Sequence, residues 1–427
     1  MYIDDLPHHL LVEILCRLPY KIVIQCNCVS KQWFSVISDP SFIHRFVRQQ
    51  GHTDSDTILL DISTQVLRDV LLYTVRSISD EFKTREISFP WGQCSLSLFP
   101  WMQRVVATHN DLILCCRVRS FERRYERDYC ICNPYTKQSI KLPPPPRVHD
   151  LTVRAGLICD NPYYNPTEDG CTTVKFNTEY RYRVVRIPRK CDDLSSFTVE
   201  MFSSETGEWR EIVILCSPGS KFVCVHHPCI ALDGMLYWMD HNGRLFGFDP
   251  FNNMNSTIRG TAKFVDDNEL CRFIEFGDSP YIMDALCSYT LGECRGRLRL
   301  FLQDESGENL FIWEWKEVEK QQGNINGVKL MEWCLIKRVS WEEMVPKDNP
   351  AIAKWLKEEK WSWTGMLVGD PNDGDVLYLH RKHDILLCNV RTKTWLWRTE
   401  PQSPSNYRSF QFSHRCWPTP IPRLHYS

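Results

Sequence analysis

The 427-residue sequence predicts an α+β multidomain protein: a small unit of three short helices over residues 1–47, a linker over 48–56, and an all-β domain over 57–427. Three observations carry that expectation. Apolar residues near the N-terminus recur at three-and-four spacing, the pattern turns polar over Val47–Asp56, and from Thr57 onward short β-type runs alternate with Gly, Pro, Asn and Asp turns.

In the helical unit, Pro7 suits a first helical turn, where its missing N–H costs nothing. Leu10, Leu11, Ile14, Leu15 and Leu18 then form an amphipathic pattern that stops at Pro19. A second helical run covers Tyr20–Val29. A third, Ser30–Ile37, supplies Trp33, Phe34 and Ile37. A unit of roughly forty residues without disulfide or metal rarely stabilises itself. Each large apolar side chain that is fully buried contributes about 1.5–3 kcal/mol, so docking several of them on a partner would supply what the unit lacks.

The β domain is read from hairpins and turns. Met235–Met239 and Arg244–Phe248 flank Asp240-His241-Asn242-Gly243, whose Asn-Gly supplies the positive φ of a tight turn. Asp375–His380 pairs with Ile385–Val390 in the same way, and Leu112–Val118 with Tyr129–Cys132. Several strands end in one device: Asn133-Pro134-Tyr135-Thr136, Ser203 to Gly207, Asp249-Pro250-Phe251-Asn252 and Asn389 to Thr392. Trp209 and Trp395 follow two of these turns. The devices recur irregularly, and a period of about 45–50 residues is one four-stranded propeller blade. Some 370 residues then give about seven blades. A pair of β-sandwiches is the alternative.

Thr57–Ile62 and Tyr407–Phe412 bracket the array and are expected to pair, because a closed ring otherwise leaves an unpaired edge. The rival to this pairing is a frayed tail, suggested by Pro418, Pro420 and Pro422, which do not suit a central strand; on the pairing, a chain ending at Ser413 is tolerated and one ending at Glu400 is not. Pro350–Lys360 reads as a helix packed on the array, and Lys316–Lys329 as an exposed hairpin tip.

The formal net charge of −2 offers no global grip on nucleic acid or on an anionic membrane. No apolar run approaches the roughly 18–20 residues of a membrane span, and the start does not read as a secretory signal. The 20 cysteines are scattered, often inside apolar runs, and read as small core hydrophobes in a reducing compartment, cytoplasm or nucleus. Cys224-Val225-His226-His227-Pro228-Cys229 lacks the paired spacing of a zinc site. Cys26/Cys28 and Cys130/Cys132 are too closely spaced for CxxC geometry. Arg119–Arg127 interleaves its arginines with Glu122 and Glu126 and reads as a solvated hairpin tip. The Pro143–Pro146 run reads as a rigid connector. No phosphate loop, nucleophile elbow or HExxH is found, and Asp192-Asp193 and Asp266-Asp267 sit in polar turns, so no catalysis, cofactor or metal is expected.

The Leu6-Pro7 start, Ile14-Leu15 with Leu18-Pro19, Val29-Ser30-Lys31-Gln32-Trp33 and Ile37-Ser38-Asp39-Pro40-Ser41-Phe42 together resemble an F-box. Asn133-Pro134 with Thr136 and Leu142-Pro143, Tyr182–Arg186, Val199–Ser203 with Trp209, Gly234–Trp238 and Phe248-Asp249 resemble the F-box-associated β-propeller domain of plant F-box proteins. The first resemblance implies a three-helix module that docks a Skp-type adaptor and, through it, a cullin scaffold. The positions matching the family's adaptor-facing residues are Leu6, Pro7, Ile14, Leu15, Leu18, Pro19, Val29, Trp33 and Ile37. Together the two resemblances imply a non-catalytic, substrate-recruiting subunit of a ubiquitin ligase, holding an unspecified target protein on the propeller. An F-box scaffold acting outside a ligase and a propeller enzyme are the rival readings.

Overall fold

Two prolines and a serine punctuate the N-terminal helices. In a computed structural model of the chain, α1 (His8–Leu15) starts after Pro7, whose carbonyl accepts the N–H groups of Leu10 and Leu11. Helix α2 (Tyr20–Cys26) starts after Pro19 in the same manner, and α3 (Lys31–Ile37) is capped by Ser30, whose side chain accepts the Trp33 N–H at 3.3 Å. A fourth helix, α4 (Pro40–Gln50), was not expected. Asp39 caps it, accepting the Ser41 N–H at 2.7 Å, and Pro40 occupies its first turn. Phe42, Ile43 and Phe46 then complete a core with Leu11, Val12, Leu15, Cys16, Val23, Trp33, Val36 and Ile37. The unit thus has four helices instead of three.

The structure describes residues 6–50, 55–62, 71–75, 88–89, 92–93, 104–121, 124–134, 136, 138–147, 153–160, 180–188, 196–215, 228–240, 244–251, 271–274, 288–304, 306–322, 325–346, 350, 353, 367–381, 384–399, 407–414, 417–419 and 421. Of the segment 48–56 read as a linker, 48–50 continue α4 and 55–56 begin the first strand. The helix expected over Pro350–Lys360 lies largely outside the described residues, as do Asp192-Asp193, Asp266-Asp267 and the Asn242-Gly243 turn.

Beyond the helices, strands follow in chain order: β1 (Ser55–Ile62), β2 (Leu71–Val75), β3 (Ser88–Phe89) and β4 (Gly92–Gln93). Four consecutive strands make each of five antiparallel sheets. The first holds β5 (Arg104–His109), β6 (Leu112–Phe121), β7 (Arg124–Asn133) and β8 (Gln138–Lys141). The second holds β9 (Arg154–Cys159), β10 (Tyr182–Ile187), β11 (Ser196–Ser203) and β12 (Glu208–Leu215). Next come β13 (Ile230–Leu232), β14 (Met235–Met239), β15 (Leu245–Phe248) and β16 (Cys271–Ile274). The fourth holds β17 (Ser288–Cys294), β18 (Arg297–Gln303), β19 (Asn309–Gln322) and β20 (Ile325–Ser340), followed by the one-turn helix α5 (Trp341–Met344). The fifth is β21 (Leu367–Gly369), β22 (Val376–Arg381), β23 (Asp384–Asn389) and β24 (Thr394–Thr399). The last strand, β25 (Tyr407–His414), returns to pair with β1.

All three expected hairpins form: Met239 lies opposite Leu245, His380 opposite Ile385, and Val118 opposite Arg127. The turn devices form as well. Asn389 Oδ1 accepts the Arg391 and Thr392 N–H groups at 3.0 and 2.9 Å, and Asp249 Oδ1 accepts that of Phe251 at 2.9 Å. The tryptophans after two of these turns tie sheets together. Trp209 Nε1 donates to the Pro143 carbonyl at 2.9 Å, which fixes the proline connector, and Trp395 Nε1 donates to the Met344 carbonyl at 2.6 Å.

Successive sheets share cores. The side chains of β5–β8 mesh with those of β9–β12, these with β13–β16, these with β17–β20, and these with β21–β24. Edge strands of neighbouring sheets lie side by side: β25 by β5, β5 by β9, β9 by β13, β13 by β17, β17 by β21. Glycines permit the closest approaches, since a Cβ on Gly156 would stand 2.8 Å from Cys229 Sγ and one on Gly369 2.4 Å from Phe301 Cζ. One ion pair, Arg186 Nη1 to Glu200 Oε2 at 2.6 Å, is fully buried between the first two sheets, with the Arg186 guanidinium over the Tyr129 and Trp209 rings.

Among the described residues there are six sheets of three or more strands, counting the β2-β1-β25 sheet that joins the two ends of the domain. The expectation of about seven blades covers residues 57–427, parts of which lie outside the described residues. Unit length is uneven: the β19–β20 hairpin alone takes residues 309–340, far longer than its neighbours in the same sheet. The expected pairing of the bracketing strands is present over eight residue pairs, from Ser55 opposite His414 to Ile62 opposite Tyr407.

Candidate functional site

The helical unit has satisfied its own core and still exposes large apolar side chains. Leu10, Ile14, Ile22, Val29 and Phe34 are 40–56% exposed. Leu10 and Ile14 are i,i+4 neighbours and share one stripe of α1, opposite the buried Leu11, Val12 and Leu15. Pro7 and Pro19, also exposed, lie at the starts of α1 and α2.

The nine residues singled out from sequence divide by burial. Ile14, Val29, Pro7 and Pro19 are exposed, Leu6 and Leu18 are half-buried, and Leu15, Trp33 and Ile37 point into the unit's core. The inward residues cannot offer surface to a partner unless the unit opens. Leu10, Ile22 and Phe34 were missed as surface candidates. Phe34 follows the core residue Trp33 directly, and consecutive helical residues point in different directions, which was the available signal.

The helical unit also carries surface ion pairs. Glu13 pairs with Arg17 at 2.8 Å across one helical turn and also with Arg45 of α4. The Asp39 carboxyl is held below its ordinary value, first by the hydrogen bond from the Ser41 hydroxyl and then by that from the Ser41 N–H. The α3–α4 corner is thereby fixed.

In the β domain the second exposed apolar group is on the β20 strand, where Met331, Leu335 and Ile336 are exposed and Trp333 faces Trp315 with ring centroids 5.5 Å apart. No group of three His, Cys, Asp or Glu side chains able to hold a metal ion occurs among the described residues. Cys224 to His227 lie outside them. Cys130 and Cys132 are buried, and burial pushes the Cys130 thiol well above its ordinary value. His109 Nδ1 stands 3.1 Å from Cys159 Sγ, but that sulfur is buried and the same nitrogen accepts the Cys159 N–H, so the pair is built into the core. No described helix is long and apolar enough to cross a membrane.

A helical unit with exposed apolar side chains is followed by antiparallel sheets that share cores in sequence. Residues 3–49 match the F-box-like family model, and residues 99–417 match that of the F-box protein At3g26010-like β-propeller. The chain belongs to this family of F-box proteins. It is similar to three Arabidopsis thaliana proteins. F-box protein At5g03970 is 23% identical over 89% of this chain and 80% of its own length, and F-box protein At1g30790 is 24% identical over 75% and 74%. The F-box/kelch-repeat protein At1g15680 is 23% identical over 64% of this chain, and the match spans 61% of its length.

Proposed function

We propose that the protein is a non-catalytic specificity subunit of a Skp–cullin–F-box ubiquitin ligase. The helical unit docks a Skp-type adaptor through Leu10, Ile14, Ile22, Val29 and Phe34, with Pro7, Pro19, Leu6 and Leu18 at its margin. The β domain, arranged as a propeller closed by β25, holds a target protein. Recruitment raises the effective concentration of the target's lysines near the conjugating enzyme, with the bond-making done by other subunits. The cytoplasm or nucleus is the expected setting.

The observation that carries this reading is the set of exposed apolar side chains on a unit whose own core is complete. At about 1.5–3 kcal/mol per fully buried side chain, hiding what those five still expose is worth roughly 4–7 kcal/mol. The side-by-side edge strands and the β1–β25 pairing support ring closure. Co-expression with a Skp-type adaptor tests the reading. The full chain should elute with the adaptor, and Phe34→Asp should not, because docking would strand a carboxylate away from water. Equal recovery of adaptor with both chains would overturn it.

A further inference from the structure

After β25, the described residues Trp417, Thr419 and Ile421 are held on two sides. Trp417 sits in the helical unit: its ring lies edge-on to Tyr20 at 5.2 Å and to Phe46 at 5.4 Å between centroids, with Phe42 at 6.2 Å. Two residues on, Thr419 is fully buried in the first four-stranded sheet. Its N–H donates to Asp111 Oδ2 at 2.8 Å, and its carbonyl accepts from Asn133 Nδ2 at 2.7 Å. Asn133 Nδ2 also donates to Asp111 Oδ2 at 2.8 Å, so three residues close one knot. Ile421 then packs on the core shared by the first two sheets. Pro418, between the two anchors, is buried. A proline there loses nothing, because the segment is no strand and its ring restricts the unfolded chain.

We infer that Trp417–Thr419, with Ile421, are a strap that clamps the helical unit onto the β5–β8 sheet and makes the two move as one body. The anchor residues on the helical side, Tyr20, Phe42 and Phe46, are distinct from the exposed Leu10, Ile14, Ile22, Val29 and Phe34, which stay open with the strap in place. The strap therefore fixes the direction in which the β domain is carried relative to anything docked on those residues. A subunit that delivers a target by proximity needs that fixed direction, since a loose joint dilutes the effective concentration. The Tyr20 environment agrees: burial, and then the charge of Asp111 across the junction, push its hydroxyl well above the ordinary tyrosine value. The strap does not depend on the adaptor reading, and its test uses no adaptor.

A protease recognition sequence inserted between Gln50 and Ser55 of the full chain allows the covalent connection to be cut. The two pieces should still co-elute in size-exclusion chromatography. Trp417→Ala should abolish co-elution by emptying the aromatic seat. Asn133→Asp should do so from the other end, keeping the turn acceptor for the Thr136 N–H while setting a carboxylate against Asp111. Pieces that part in the parent chain, or that stay together in both variants, overturn the strap. Hydrogen exchange on the uncut parent chain gives a reading independent of variant folding: the Thr419 amide should be protected as strongly as those of β5–β8, and fast exchange there overturns the proposal.

Discussion

Removing β25 tests whether the β domain is closed by its last strand. In the intact chain β25 pairs with β1 across eight residue pairs and buries Phe410 and Phe412 at 4% and 0% exposure. Fully burying two phenylalanines contributes about 3–6 kcal/mol. The lost backbone hydrogen bonds, at a net value of about 0.5–1.5 kcal/mol each, add several more. Domain stabilities run to about 5–15 kcal/mol, so a chain ending at Glu400 should be unfolded or aggregated through the bared β1 edge. Phe412→Ala is the graded version: a cavity at a fully buried phenylalanine costs about 3–5 kcal/mol, whereas Leu335→Ala, at a half-exposed site, should cost under about 1 kcal/mol. Urea unfolding followed by tryptophan fluorescence reads both. A Phe412→Ala loss below about 1 kcal/mol, or a parental midpoint in the Glu400 truncation, refutes closure by this strand. A chain ending at Ser413 keeps nearly all of β25 but loses Trp417 and Thr419, so its stability should fall between the two.

Three further outcomes are expected. Glu200→Ala strands the buried Arg186 charge and should cost about 3–5 kcal/mol in urea unfolding; a cost under 1 kcal/mol, about the value of an exposed pair, would show that the pair is not desolvated. Gly369→Ala drives a Cβ into the Phe301 ring and should lower the thermal midpoint, while Gly369→Ala combined with Phe301→Leu should recover part of the loss; no rescue would mean the contact is not the cause. At Glu314, burial acts to raise the carboxyl, but hydrogen bonds from Arg299 and Arg297 outweigh it and hold the value below the ordinary one. The stabilisation this supplies is present above the ordinary glutamate pKa and is lost as pH falls through the lowered value. Glu314→Gln should therefore flatten stability against pH in the acid range, and an unchanged slope would count against the ion pair.

The features legible in the sequence were those set by local chemistry. Pro7 marks the start of the first helical run and Pro19 its end because proline's missing N–H has the same consequence in any fold. The hairpins at Met235–Phe248 and Asp375–Val390 were legible from strand runs on either side of turn residues. Less legible was which side of a short, nearly all-apolar helix faces inward. Leu15, Trp33 and Ile37 went to the core while Leu10, Ile22 and Phe34 stayed out, a division decided by α4, whose Asp39-Pro40 start and Phe42/Phe46 spacing were the overlooked signal. Unit boundaries were less legible because the sheets do not keep a fixed period, as the long β19–β20 ribbon shows. The fastening of the tail was not legible because its prolines exclude a strand but not a buried extended segment held by Asp111 and Asn133.

Hydrogen exchange of the full chain with and without a purified Skp-type adaptor tests the central claim most directly, because it reads every segment in one experiment. Docking on the exposed helical side chains predicts that amides over His8–Ile37 slow on adaptor addition while those of β5 through β25 keep their rates. Unchanged exchange throughout His8–Ile37 at saturating adaptor, or protection confined to the β domain, would contradict it.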